Sequence, residues 1–533
     1  MSDTKITEAK PSYPNPFLWV PSSYLSMGLI YVTVGSVANV MFKNMGMDNI
    51  NAAFWSSILG FPYTFKFLWA PLLELYQTKK FFVVLMQFLI AGSIACVAFA
   101  LKLPALTWMV PVLVLLAISG LFGATQDIGS DGVYVTTLPP KEMAKYTGFQ
   151  SMCWNAGFLL AAGPLIHFSG VLHEHTQSWG SAWMVIMLVI AGVMFLAGLY
   201  HSRLLPPGQK ATDAPKSFGA AMGTFGHAFA TFFKKKDVWL LIAFAFLYRS
   251  GYGLIDKMGP LFMIDDRAKG GLGLSNQVLG DINGTFGTGA FILGSLIGGW
   301  IVSRFSLKKT LLILCLCLNV PNVTFLILSQ TLPTSYSVIA TIVTFEKLGW
   351  GIGCVGHMIY MMQQIAPGPY RTAHYTFATA LMGACMMLTG AVSGYLQSWV
   401  GYHWFFIIVL FAAAPSILVT ILAPFHNPDT TGPGAEKISD GNATAMTNSG
   451  GMRWEYTIIL GLLAGGFIGF LLRPLGPLGV QLPFTVVITR GAMLEGLDQI
   501  MVPFARACFN YVFAGCLIGA LVGFAVNKFI KRP

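Results

Sequence analysis

The sequence predicts an all-α polytopic membrane protein, and two observations carry that prediction. About fourteen apolar stretches follow one another along the chain, each of roughly twenty residues and so long enough to cross a hydrocarbon core of about 30 Å as a helix. Within them stand few ionisable residues: Lys66, Asp127, Asp131, Arg249, Glu346 and Lys347. A charge in hydrocarbon costs from about 3 to well over 10 kcal/mol, so such residues line a cavity, pair with one another or mark an ion path. That pattern belongs to a polytopic carrier.

Composition agrees. Of the 533 residues 55% are hydrophobic and 10% charged, with mean hydropathy +0.67, whereas soluble domains carry about 25% charged residues. In a soluble protein the net charge of +11 would point to nucleic acid, but here the basic residues cluster in short loops between apolar spans, where they set topology. No nucleic-acid partner is expected; the partner is the lipid bilayer. All eight cysteines (Cys96, Cys153, Cys315, Cys317, Cys354, Cys385, Cys508, Cys516) fall in apolar stretches without a CxxC pair. They read as small buried hydrophobes, with no disulfide framework and no zinc site. Residues 1–22 are polar and Pro-rich and lack the order of a cleavable signal, so they read as a cytoplasmic tail and the first helix directs insertion.

Hydropathy places helices near 23–43, 52–75, 80–101, 106–136, 146–170, 178–200, 238–262, 275–302, 308–329, 335–365, 371–398, 402–424, 454–472 and 507–527. With the N-terminus inside, most basic residues fall in cytoplasmic segments, which predicts both termini in the cytoplasm. The basic, Pro-, Gly- and Ala-rich connection 201–237 reads as a cytoplasmic linker between two six-helix bundles, 23–200 and 238–424. A repeat supports this division: Lys79-Lys80 recurs as Lys308-Lys309 and Tyr146-Thr147 as Tyr375-Thr376, both 229 residues on and at corresponding loop-to-helix junctions. Parallel six-helix repeats about an axis along the membrane normal are the plan of the major facilitator superfamily. Residues 425–453 read as a flexible cytoplasmic tether, and 454–533 as two additional transmembrane helices. Between those two, Arg490, Glu495, Asp498 and Arg506 make 473–506 interfacial or re-entrant.

The richest local string runs Phe61-Pro62-Tyr63-Thr64-Phe65-Lys66-Phe67-Leu68-Trp69-Ala70-Pro71-Leu72-Leu73-Glu74 on the second helix. With Ala124-Thr125-Gln126-Asp127-Ile128 and Asp131, Leu247-Tyr248-Arg249, the glycines from Gly280 to Gly299, Glu346-Lys347 and Thr376 to Gly394, it resembles the AmpG-like muropeptide permeases. That branch of the major facilitator superfamily also includes acetyl-CoA and siderophore transporters, and the resemblance covers roughly residues 24–424. Two places depart from the family pattern: Glu74 stands where Asp is usual, and Val133-Tyr134-Val135 where an aromatic-Arg pair is common. The resemblance implies a permease of the bacterial inner membrane importing muropeptide-like cell-wall fragments, with a siderophore or an acetyl-CoA-type anion as the alternative cargo.

Lys66 lies too deep in the second helix for its stem to reach either interface, so it attracts an anionic cargo group or forms a structural ion pair. Arg249, mid-depth in the seventh helix, has the same two readings, with a planar fork better suited to carboxylate or phosphate. Asp127 and Asp131 share one face of the fourth helix, where two ionised carboxylates repel. They serve as a proton carrier or as a cytoplasmic gate pairing with Lys79, Lys80 or Lys145. Glu346, nearer mid-membrane, is the better proton site, and Lys347, leaving the helix about 100° away, is expected to pair elsewhere. Tyr63, Gln126, Gln150 and Asn155 offer stacking and hydrogen-bonding groups to a sugar or peptide.

Gly280-xxx-Gly284 and Gly294-xxx-Gly298 allow close helix approach in the eighth helix. His173-Glu174-His175 reads as a solvated loop rather than a metal site. No phosphate loop is present, so a secondary permease of a small-molecule solute, coupled to protons, monomeric and without cofactor or metal, is expected rather than an enzyme. An intramembrane transferase holding magnesium diphosphate on Asp127-xxx-Asp131 is the rival, and it lacks a second acidic cluster.

Overall fold

The computed structural model describes residues 14–70, 73, 78–104, 107–138, 140–208 and 218–432. Glu74, the segment 473–506 and the expected helices 454–472 and 507–527 lie outside the described residues. Ten described helices are long and apolar enough to cross a membrane. In the first half these are Pro16–Asn44, Lys79–Ala100, Met109–Thr137, Phe149–Thr176 and Trp179–Leu204, the first, third, fourth, fifth and sixth membrane helices. The second is segmented: Asn49–Ile58, then Phe61–Phe65 with Pro62 in its opening turn, then Lys66–Leu68. Proline has no amide hydrogen to continue a helix, so the break falls at Pro62.

The second half holds Val238–Ile264, Asn276–Phe305, Leu307–Thr331 and Tyr336–Ile365 as the seventh to tenth helices. The eleventh and twelfth form Arg371–Phe411, turned at Gly401 (φ 72°, ψ 172°), followed by Ala413–Ile421. A β-carbon would be strained at that φ, so the residue that lets the chain reverse is glycine. Each of the first twelve helices read from hydropathy thus has a counterpart.

Polar residues start these apolar runs. The side chains of Asn15, Asp48, Thr78, Ser178 and Ser275 accept hydrogen bonds from the amides of Phe17, Asn51, Phe81, Ser181 and Val278. Each such cap is worth about 1 kcal/mol, because the first amides of a helix otherwise lack partners.

Two connecting segments hold more structure than their composition announces. Within the linker, Phe218–Phe233 is a helix. Its Phe225, Phe229 and Phe232, spaced to fall on one face, set their rings 5.7 Å from Phe377 of the eleventh helix. The start of the expected tether is docked rather than free. Asp429 accepts from the Lys308 amide and the Thr431 hydroxyl from the Leu307 amide, both at 2.9 Å, capping the ninth helix from a distance in sequence.

Candidate translocation site

The two halves are held together most firmly at the end of the bundle that carries Asp265. Asn49, opening the second helix, donates to Asp265 (2.9 Å), Gln397 (3.2 Å) and the Tyr402 hydroxyl (2.9 Å), while Lys43 pairs with Asp265 at 3.0 Å. Burial alone would raise the Asp265 carboxyl. The hydrogen bonds from Asn49 and Lys43, the Lys43 charge and the Tyr402 hydroxyl outweigh burial and hold it below the usual carboxylate range. Asn276 of the eighth helix bonds Asn44 (2.7 Å) and Ser169 (2.8 Å), Gln277 donates to Glu174 (2.7 Å), and His167 meets Asp281 at 2.9 Å. Glycine brings the fifth and eighth helices this close: a β-carbon at Gly284 would lie 2.0 Å from the Ala162 carbonyl oxygen. Contacts of Phe67 with Phe225 and Phe377 join the halves towards the opposite, Lys79 end.

Mid-bundle, the first half presents an aromatic and charged wall. Tyr31, half-way along the first helix, is 42% exposed. Its ring lies 5.0 Å from Tyr63 and 5.5 Å from Trp154. It is within electrostatic reach of Lys66 and Asp127 in its own half and of Arg249 and Asp256 in the other, so it faces the space between the halves. The Lys66 ammonium is bonded directly to the Asp127 carboxylate, and Asp131 accepts from the Tyr24 hydroxyl at 2.8 Å. Lys66 thus has its partner within the half, with Asp131 as a second carboxylate on the same helix.

The second half is built differently. Arg249 Nε donates to His357 Nδ1 at 3.1 Å, which makes that nitrogen an acceptor and the imidazole neutral. The His357 ring is fixed by stacking on Tyr248 (centroids 4.6 Å apart). No carboxylate lies within ion-pair distance of Arg249 among the described residues. Deeper in this half, Glu346 is fully buried and its Oε2 lies 3.3 Å from Lys347 Nζ. The Lys347 ammonium also lies 3.3 Å from the Tyr252 hydroxyl and 5.3 Å from the Trp350 ring centre. The two stems leave the helix in different directions, but four flexible methylenes bring the lysine back to the adjacent carboxylate, which corrects the expectation that it pairs elsewhere.

The remaining expected site residues divide. Tyr63 turns its hydroxyl onto Gly123, where a β-carbon would be 2.1 Å away. Gln150 and Asn155 are half-buried on the fifth helix, with Asn155 donating to the Ser151 carbonyl of its own helix at 2.9 Å. Gln126 is wholly buried inside the first half, donating to Ser26 in a chain that continues through Gln87 to His201 and Ser22. It supports the wall and does not open onto the cavity. His173-Glu174-His175 closes a helix rather than standing in a loop, with His173 stacked on Trp179 at 3.7 Å.

Sequence reading did not single out Asp256, Lys257, Asp265, His167 and Asp281 as site residues. Lys257 is buried in the seventh helix, 3.4 Å from Asp256, with its carbonyl accepting from Asn39 of the other half. An Asp-Lys pair inside an apolar run was the one available signal.

Two helical halves held most firmly at one end, with charged side chains at mid-depth between them, make a secondary transporter of small solutes. The chain belongs to the Major Facilitator Superfamily, whose family model matches residues 21–385. It is 25% identical over 394 residues to the anhydromuropeptide permease of Escherichia coli strain K12, which covers 73% of this chain and 74% of that protein. Among solved structures it is similar to a D-xylose-proton symporter (TM-score 0.61, 11% identity, 78% of this chain and 98% of that one). It is also similar to the nucleoside transporter NupG (TM-score 0.56, 15% identity, 76% and 97%). The protein is a multi-pass membrane transporter, and these neighbours bear on its fold alone.

Proposed function

We propose that this transporter imports anionic, muropeptide-like cell-wall fragments across a bacterial inner membrane in symport with protons, as a monomer with both termini in the cytoplasm. One observation carries the reading: among the described residues Arg249 stands at mid-depth with a neutral histidine and no carboxylate as its partner, while Lys66 is paired with Asp127. A half-buried guanidinium whose two terminal nitrogens are not used by the histidine is a fork for a carboxylate, and peptide-bearing fragments carry carboxylates. The similarity to an anhydromuropeptide permease supports that cargo. Tyr31 and Trp154, across the cavity, give flat surfaces on which a sugar ring can lie. With the N-terminus cytoplasmic, the Asp265 end faces outwards and the described conformation is closed to the outside.

Proton coupling is assigned to Glu346, with Asp127 and Asp131 as the gate of the first half. A buried carboxylate beside a single lysine is sensitive to any rearrangement that moves the lysine, which is how a proton site can be linked to conformation. The deciding experiment is uptake into vesicles of labelled anhydro-muropeptide against labelled ferric siderophore and acetyl-CoA. Saturable uptake of the first alone is expected; transport of either competitor instead reassigns the cargo. In the same vesicles Glu346→Gln is expected to abolish uptake driven by a pH gradient and to leave cargo binding. A wild-type pH response in that variant removes Glu346 from the coupling.

A further inference from the structure

Between the halves, away from Arg249 and Glu346, lies an acid–base pair that neither the cargo site nor the proposed proton site uses. His167 of the fifth helix and Asp281 of the eighth face each other at 2.9 Å, Nδ1 to Oδ1, and are 33% and 40% exposed. Both helices change their winding here: Ala161–Leu165 and Gly280–Phe286 are π-helical and pack on one another. Such single-turn irregularities cost regular hydrogen bonding and are common at functional sites. A β-carbon at Gly280 would lie 2.6 Å from the His167 amide nitrogen, so glycine brings the two backbones together where the pair forms.

We propose that His167 and Asp281 form a proton-binding latch that holds the halves together at the Asp265 end. A proton on His167 turns a hydrogen bond between a neutral ring and a carboxylate into a charge-assisted ion pair, and only in the closed arrangement are the two partners in contact. The proton is then a ligand that binds the closed state better than the open one, and acid shifts the population towards closure. The inference rests on the alternating-access carrier, not on the cargo or on Glu346.

On the same helix as His167, His173 is stacked on Trp179 and His175 is exposed at the helix end. Glu174, two turns further along the fifth helix, is bonded to Gln277. Tyr336, opening the tenth helix, is within electrostatic reach of Asp281. Lys347 of the tenth helix passes its stem over Gly287 of the eighth, but its ammonium is engaged by Glu346 and Tyr252. The seventh helix contributes Asp256 and Lys257, which pair with each other. Near the pair, the first helix meets the fifth through Thr33–Val37, which carries no ionisable side chain. Asp265, held below the usual carboxylate range, keeps its charge above pH 5 and leaves the seam's other ion pair constant there.

The test reads the closed end directly and without cargo. Spin labels on Lys102→Cys and Lys269→Cys, exposed at the Asp265 end in opposite halves, with Cys96→Ser, are placed in the full chain in lipid nanodiscs. Between pH 8 and pH 5.5 the ratio of closed to open distances is expected to rise about fivefold or more. His167→Gln and Asp281→Asn should each flatten that response. A wild type without a pH response, or a His167→Gln protein that keeps the full one, overturns the latch. The symport reading is judged separately, since pH-driven uptake that survives in His167→Gln leaves coupling with Glu346 while the flattened distance response still establishes the latch.

Discussion

The two mid-membrane cations, one in each half, have opposite surroundings. Lys66 is bonded to Asp127 from a neighbouring helix of its own half, whereas Arg249 is positioned by a neutral imidazole and has no carboxylate beside it among the described residues. In a medium of low dielectric an unpaired cation is costly, and that cost is offset when an anion arrives. The first half therefore pairs its cation internally, and the second leaves a cation to which the proposed cargo can bind. A deep charge thus marks a binding site only after its partners have been counted.

The largest effect that tests this contrast comes from breaking the balanced pair. Lys66→Met leaves Asp127 uncompensated with Asp131 one turn away and should lower stability by about 3 kcal/mol, read from thermal unfolding in detergent. Adding Asp127→Asn should restore most of it. A single variant as stable as the wild type would mean that Lys66 is not held by Asp127 and that the two cations are alike.

Arg249→Lys should then weaken cargo binding by about ten- to a hundredfold with little change in stability, since one ammonium cannot reproduce two parallel hydrogen bonds to a carboxylate. Equilibrium binding to the purified protein decides this. Unchanged affinity in a well-expressed variant would make Arg249 structural, like Lys66.

A smaller effect comes from a pair that belongs to neither site. Because the folded-state carboxyl of Asp265 is depressed, its stabilisation is present above the ordinary carboxylate value of about 4 and is lost as pH falls through the lower, folded value. Asp265→Asn should cost about 1 kcal/mol near neutral pH and remove part of the acid sensitivity of thermal unfolding below about pH 4. It should leave cargo affinity as it was. An affinity loss equal to that of Arg249→Lys would show that seam and site are not separable.

The smallest effect is expected from truncation after Gly432. Residues up to that point cap the ninth helix and pack near Ser306, so the cut must fall beyond them rather than at the start of the tether. Such a protein should insert, bind and transport. Normal insertion with no transport would place residues 433–533 in the path or its gating.

Much of the architecture was legible in the sequence, because hydrocarbon imposes its demand on each helix separately. A span must be apolar over about twenty residues whatever its neighbours are, and a positive loop is held on the cytoplasmic side by its own charge. The twelve helices among the described residues and the place of Lys66, Arg249 and Glu346 within them follow from that local rule. The helix inside the linker was less visible, since its phenylalanines have meaning only against Phe377.

Partnership was decided by the tertiary structure. Lys66 finds Asp127 across 61 residues of chain, and His167 finds Asp281 across 114. Gln126 read as a hydrogen-bonding group for cargo, yet adjacent residues on a helix point about 100° apart and it turns into the core of its half, away from Asp127. Electrostatic energy depends on distances between side chains of different helices, and hydropathy carries no information about which helices meet or which faces they turn to each other. The sequence by itself determined that this chain spans a membrane many times with charges held inside it. Packing decided which of those charges, among the described residues, find partners on neighbouring helices.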